Sequence, residues 1–290
     1  GRAAAAPPQP LPPVNLDGAA RSVEIVEDAR RTIAVRRRIA DWALLDDAFR
    51  RARERGREPT LWWRDDDAVA ETEGLRRLLA LSRTCASPVA LAVIPDQAEP
   101  SLPDALAASP DAAVLVHGFA HANHAPPGDK KAEFGPDRPL ETLLDEASSG
   151  LERLRARFGE RVLPVFVPPW NRIAADLVPL LAGSGYAGIS TYGRRKAIHS
   201  APGLVQVNTH IDPIDWHGSR SLIDPGRLIA TAVEAMALDE PIGLLTHHLV
   251  HDEAVWWFCR AFLDRLQHNN IHVALAARLI SVENRIVPEP

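Results

Sequence analysis

Three short apolar runs in this chain end in residues that could bind a metal or move a proton. Residues 113–116 lead into His117, and His121 follows four residues later. Residues 61–63 lead into Arg64 and three consecutive carboxylates, Asp65, Asp66 and Asp67. Residues 242–245 lead into Thr246, His247 and His248. Two histidines four apart face the same way if a helix begins after the strand. A carboxylate from a neighbouring strand end would then complete a set of two imidazoles and one carboxylate. Such a set leaves a position open for water, as in catalytic rather than structural zinc sites, and it also suits iron(II), cobalt or manganese. Adjacent carboxylates repel one another unless a cation is present. Hydrolysis further needs a base for the water and an acid for the departing group. A second aspartate of the triple run supplies the base and His247 the acid.

Strand ends must position these residues. Apolar runs of strand length recur at 60–64, 89–95, 112–117, 162–167, 186–190, 204–210, 242–247 and 271–275. They are continuous rather than alternating, as expected when both faces are buried. Helix-length stretches separate several of them. The clearest runs from Pro139 to Phe158, with Asp137 as its cap and Gly159 as its stop. Others are expected after Asn171 and over about 225–238 and 252–267. This alternation predicts a parallel sheet, closed as a distorted (β/α) barrel of seven or eight parallel strands over residues 58–285. Residues 19–57 read as a helical extension containing the basic stretch 30–38. Residues 1–18, rich in proline and alanine, read as a disordered tail.

The chain has 290 residues, a net charge of -5 and a pI near 6.1, which argues against a nucleic-acid partner. No apolar run approaches the roughly 20 residues of a membrane span. No signal-peptide core is seen, so a cytoplasmic location is expected. Cys85 and Cys259 form no disulfide framework and read as buried thiols.

Five motifs in order resemble the polysaccharide deacetylase family, the carbohydrate esterases of family 4 with the NodB-homology fold. Asp66-Asp67 matches its aspartate pair, and His117 with His121 its His-x-x-x-His. Residues 167–171, Val-Pro-Pro-Trp-Asn, match its proline-rich third motif. Residues 212–216 match its Asp-x-x-Asp-Trp, and residues 244–247 its Leu-x-x-His. The resemblance implies metal-dependent removal of an acyl group, usually acetyl, from an amide on a sugar. By that analogy Asp67, His117 and His121 hold one divalent ion, zinc first among the candidates. Asp66 is the base, His247 the acid, and Asp215 orients His247. Trp170, Trp216 and Leu244 wall the acyl pocket, Arg64, Pro169 and His248 contact substrate, and the backbone after Pro168 helps hold the oxyanion. The partner is a small or oligomeric sugar.

The chain also departs from the pattern. Ala68 stands where a glycine usually follows the aspartate pair, which leaves an Asp65-Asp66 register as an alternative. Asp66-Asp67 is preferred because Arg64 and Asp66 then share one side of the strand and could pair. Val167 replaces the arginine that holds the base, so Arg64 or Arg172 must substitute or the base is untethered. Gly118 replaces a hydroxyl residue, and His248 competes with His247 as the acid. These changes leave two further readings open, an inactive carbohydrate-binding relative and a hydrolase of a small non-sugar amide. His124 and His251 read as surface histidines, with a second metal as the alternative. His210 and Asp212 end a strand and could face the same mouth. Trp62, Trp63, Trp256 and Trp257 read as packing. The loop 125–139 fits either a cover over the substrate or a plain connection.

Overall fold

The computed structural model of the chain describes residues 41–284. The proline-rich tail, most of the helical extension and residues 285–290 lie outside the described residues. The strands are β1 (Leu61–Ala68), β2 (Ala90–Val93), β3 (Ala113–His117), β4 (Val162–Val167), β5 (Gly188–Ile189), β6 (His199–Ala201), β7 (Leu204–Gln206) and β8 (Ile242–Thr246). The helices are α1 (Trp42–Glu54), α2 (Glu73–Thr84), α3 (Ser101–Ala107), α4 (Leu140–Phe158), α5 (Pro225–Ala235), α6 (Glu253–His268) and α7 (Ala276–Asn284).

The eight strands form one sheet in the order β6-β7-β5-β4-β3-β2-β1-β8, parallel throughout except between β6 and β7. The chain beyond β7 runs on to Ile211, which bridges Leu244 of β8 in parallel. The sheet therefore curls into a distorted barrel whose ring closes through this bridge. Gly243 makes the closure possible: a Cβ there would lie 2.5 Å from Thr209 Cα and 2.6 Å from the Asn208 carbonyl. The His210 and Ile211 amides both donate to the Gly243 carbonyl, at 2.7 and 3.0 Å.

Alternation along each strand divides the apolar residues into two layers. Leu61, Trp63, Val116, Phe166 and Leu244 face outward under the helices. Trp62, Leu115, Val165 and Val167 face inward and meet Ala276 and Leu279 of α7. The tryptophans belong to this packing: Trp62 Nε1 donates to the Asn208 carbonyl at 3.0 Å and Trp63 Nε1 to Thr246 Oγ1 at 2.8 Å. Trp256 is buried on α6 and Trp257 packs partly buried against the same layer. Cys85 and Cys259 are both buried thiols. Asp252 caps α6 by accepting from the Val255 amide at 2.9 Å.

Three expectations need correction. The region after Asn171 forms only short 3-10 turns, Val178–Leu180 and Ala182–Ser184. Pro179 lacks an N–H, and Gly185 turns left-handed with φ 87°, so an α-helix does not propagate. The run 271–275 yields a single bridge, Val273 to Leu61, rather than a strand. Pro139, not Asp137, is the N-cap of α4, and no side chain caps it. Among the described residues no helix is long and apolar enough to cross a membrane.

Candidate active site

Strict alternation would send Asp66 inward and Asp67 outward, so two adjacent carboxylates could not serve one site. A bulge resolves this. Asp65 pairs with Leu91 and Ala68 with Val93, so Asp66 and Asp67 together oppose one residue of β2. Asp67 sits in the left-handed region at φ 69°, a conformation aspartate tolerates better than most residues. The extra residue turns Asp67 back toward the mouth, and Ala68 rejoins the outer layer fully buried. It is Asp67, next to Asp66, that stands beside the two histidines.

One ligand atom each from Asp67, His117 and His121 lies within 4.8 Å of the others. Asp67 Oδ1 is 3.1 Å from His117 Nε2 and 3.3 Å from His121 Nε2. His117 is buried, and its Nδ1 lies 3.0 Å from the Val167 carbonyl. With a metal bound, donation there would leave the Nε2 lone pair free to ligate, the usual outer-shell device for a metal ligand; without one, the charge of Asp66 and the Asp67 contact raise the His117 imidazole against its burial. Burial would raise the Asp67 carboxyl, but the His117 hydrogen bond and the charges of His117, His247 and His121 hold it below the usual range. Burial and the neighbouring His117 charge lower the His121 imidazole. A deprotonated carboxylate and two imidazoles with converging lone pairs fit one divalent cation.

The spacing of the histidines is set by a loop and not by a helix. Gly118 at φ 57° and His121 at φ 56° fold the segment back. Glu133, buried, accepts from the Phe119, Ala120 and Ala122 amides at 3.2, 2.7 and 3.3 Å. This carboxylate inside a ring of amides fixes the loop that carries His121, and nothing in the motif pattern signalled it. The loop 125–139 is fastened at the same place, since Asn123 Oδ1 accepts from the Ala125 and Ala132 amides at 3.2 and 3.0 Å. His124 is exposed.

The base candidate is tethered from its own strand. Arg64, fully buried, reaches Asp66 with Nε at 2.8 Å from Oδ1 and Nη2 at 3.0 Å from Oδ2. The same guanidinium donates to Ser190 Oγ at 2.7 Å and Asn171 Oδ1 at 3.1 Å. Arg172 points elsewhere, donating to the Lys131 carbonyl at 2.7 Å. Of the two arginines it is thus Arg64 that is paired with Asp66.

Asp65 and His248 lie on the outer face. Asp65 accepts from Thr246 Oγ1 at 2.6 Å and the His248 amide at 3.1 Å, and His248 Nδ1 is 2.5 Å away. Burial opposes both charges, yet their mutual attraction lowers the Asp65 carboxyl and raises the His248 imidazole. This buried pair fastens β1 to β8 and leaves His247 as the histidine beside the mouth. Leu244 also points outward and packs beneath the helices, away from the pocket.

Trp216 packs edge-on against His247 with centroids 4.6 Å apart. The carboxylate that joins them is Asp212, which accepts from Trp216 Nε1 at 2.7 Å and feels the His247 charge. Burial, with the charge of Asp66 adding to it, raises the Asp212 carboxyl despite His247. Asp215 turns away: its Oδ2 accepts from the Ser219 amide at 3.0 Å and closes the turn that follows. His210 is buried, accepting from the Gly243 amide at 3.1 Å through Nδ1, with Nε2 3.6 Å from Glu240. Trp170 at φ 55° lies 4.4 Å from the His121 ring and follows the buried Pro169 in the chain. Within residues 168–170 the one backbone donor is Trp170 N–H, since prolines have none.

His251 Nε2 accepts from the His247 amide at 3.2 Å, so the neutral ring is part of the fold. Burial first, and the His247 and His248 charges after it, lower its pKa from 6.5 to about 4. The folded value lies below the unfolded one. Stability is therefore complete above 6.5 and is lost as pH falls through that window, by up to about 3 kcal/mol. His251→Gln keeps an acceptor and removes the titration. In metal-free protein its denaturation midpoint should fall less than the wild type's between pH 6.5 and 4. Parallel curves for the two proteins would reject this.

The fold is a distorted (β/α) barrel, and Asp67, His117 and His121 at its mouth form a group that could hold a metal ion. No family profile and no curated protein sequence matches the chain. Solved structures do match. One is designated a polysaccharide deacetylase, from Mycobacterium smegmatis, with a TM-score of 0.56 and 17% identity over 75% of this chain and 81% of that one. Another is the peptidoglycan deacetylase PdaC of Bacillus subtilis, with a TM-score of 0.52 and 13% identity over 79% and 93%. A third is BA3943 of Bacillus anthracis, described as a pseudoenzyme of the same esterase family, with a TM-score of 0.52 and 12% identity over 77% and 66%. At these identities the likeness is one of fold.

Proposed function

We propose that this chain is a divergent polysaccharide deacetylase, a metal-dependent hydrolase that removes an acetyl group from the amide of an N-acetylated sugar. The observation that carries this reading is the β1 bulge, which brings Asp66 and Asp67 to one mouth with His117 and His121. Asp67, His117 and His121 would hold one divalent ion, zinc by preference, which supplies Lewis acidity toward the substrate carbonyl and water. Asp66, tethered by Arg64, would take a proton from the attacking water. His247 gives a proton to the departing nitrogen, and Asp212 stabilises the imidazolium through their mutual attraction. Trp170 and Trp216 wall the acyl group, and the Trp170 amide can donate to the carbonyl oxygen as charge develops on it.

Metal content measured by mass spectrometry, followed by acetate release from N-acetylated sugars, tests this. About one zinc per chain and a measurable rate are expected. His247→Ala should keep the metal and lose most of the rate, on the order of 10²–10⁴-fold for a lost general acid. A chain that takes up no metal on reconstitution overturns the proposal. The pseudoenzyme among the similar structures favours a second reading, an inactive sugar-binding relative. The Arg64 tether of Asp66 counts against it, because the base keeps its partner.

A further inference from the structure

Each aromatic wall of the mouth carries a cation. Lys131 Nζ lies 5.9 Å from the centroid of Trp170, itself 4.4 Å from the His121 ring. The Arg220 guanidinium carbon lies 4.7 Å from the centroid of Trp216, itself 4.6 Å from the His247 ring. The two cations come from different segments, Lys131 from the one after β3 and Arg220 from the one after β7. Both are exposed, and among the described residues neither has a carboxylate within ion-pairing distance.

Their positions are built. The Lys131 carbonyl accepts from Arg172 Nη1 at 2.7 Å, and the next amide, Ala132, donates to Asn123. Arg220 sits at φ 57° in the turn that Asp215 closes, with its amide donating to the Asp215 carbonyl at 3.0 Å and Nη1 3.4 Å from the Trp216 carbonyl. The carboxylates deeper in the site are already matched, Asp66 by Arg64 and Asp67 by the histidines. Asp212 and Asp215 beside them are engaged by Trp216 Nε1 and the Ser219 amide, which leaves Lys131 and Arg220, among the described residues, as two unpaired cations at the mouth of a chain whose net charge is -5. An uncharged sugar amide would offer these cations only neutral oxygens, whereas an anion would add a charge-assisted bond.

We propose that the substrate is anionic, an N-acylated amino sugar bearing a carboxylate or phosphate, whose charge Lys131 and Arg220 receive. This rests on the deacetylase reading for the reaction, but binding alone can test it. Calorimetry on the zinc-reconstituted full chain would compare N-acetylmuramic acid, N-acetylglucosamine 6-phosphate and uncharged N-acetylglucosamine, with acetate release followed in parallel. At least one anionic sugar should bind about tenfold tighter than the neutral one at low salt, and the advantage should shrink in about 0.5 M NaCl. Which of the two binds tells carboxylate from phosphate. Lys131→Gln and Arg220→Gln should each cut the preference about threefold, and together bring it close to one. Arg260→Gln, on the outer side of α6, controls for net charge and should leave the ratio unchanged. Equal affinities for all three sugars, or binding of none, overturn the proposal. Anion preference without turnover of any amide would sink the deacetylase reading and leave this one standing. Turnover without preference would do the reverse.

Discussion

Asp67→Asn should leave the barrel folded and nearly empty of metal. Asparagine matches aspartate in size and tolerates the left-handed conformation that residue 67 holds at φ 69°, so the bulge survives. What is lost is the anionic oxygen lying 3.1 and 3.3 Å from the two imidazole nitrogens. Losing an outer-shell partner costs a metal site about 10–100-fold in affinity, and losing a ligand should cost more than about a hundredfold. Acetate release should fall with zinc occupancy. Asp66→Asn is the informative companion, since it should bind zinc and still be slow. Stoichiometric zinc in Asp67→Asn at micromolar concentration would place the metal elsewhere.

Gly118→Ser restores the residue type expected at this motif position and should nevertheless damage the site. A Cβ at residue 118 would run into the Glu133 carboxylate and lie 2.6 Å from Cγ and Cδ of Pro169. The left-handed backbone costs a serine about 1–2 kcal/mol and forced overpacking about 1–3 more. The Glu133 carboxylate cannot yield without releasing the amides of residues 119, 120 and 122, and with them the loop that carries His121. A thermal midpoint lowered by several degrees and weakened zinc binding are expected together. A serine variant with wild-type melting and zinc affinity would dismiss this account. Gly118 and Glu133 are thus a matched pair in this chain, which explains the departure at this position.

The sequence was most legible where a local pattern has one structural solution. The apolar runs around Trp62, Leu115, Val165 and Leu244 became parallel strands because burial on both faces leaves few alternatives. The amphipathic run 140–158 became α4 for a similar reason. The ends of strands also announced themselves, because Asp67, His117 and His247 follow apolar runs directly. Long-range pairing could not be read. Strand alternation let Arg64 pair with Asp66, but Arg172 was also a claimant until the fold turned it to the Lys131 carbonyl. Asp212 and Asp215 both fit one motif, and only the turn at 215–220 shows which faces the histidine. Glu133 sits in a stretch that looks like linker, and its role depends on amides up to fourteen residues away.

The ring closes at one place, where Gly243 lets residues 208–211 press against β8, and that seam divides the chemistry. Asp66, Asp67, His117 and His121 belong to the continuous sheet on one side. Asp212 and Trp216 arrive across the seam on the other, and His247 follows directly from the strand that forms it. Asp212 and Trp216 are therefore mechanically separable from His247, which stays joined to Asp66 and Asp67 through the pairing of β1 with β8. A wedge such as Gly243→Ala should prise apart the proton-donating half while the cation-holding half keeps its stoichiometry. Catalysis by this protein would then depend on an alignment maintained by a single glycine, far in sequence from the metal.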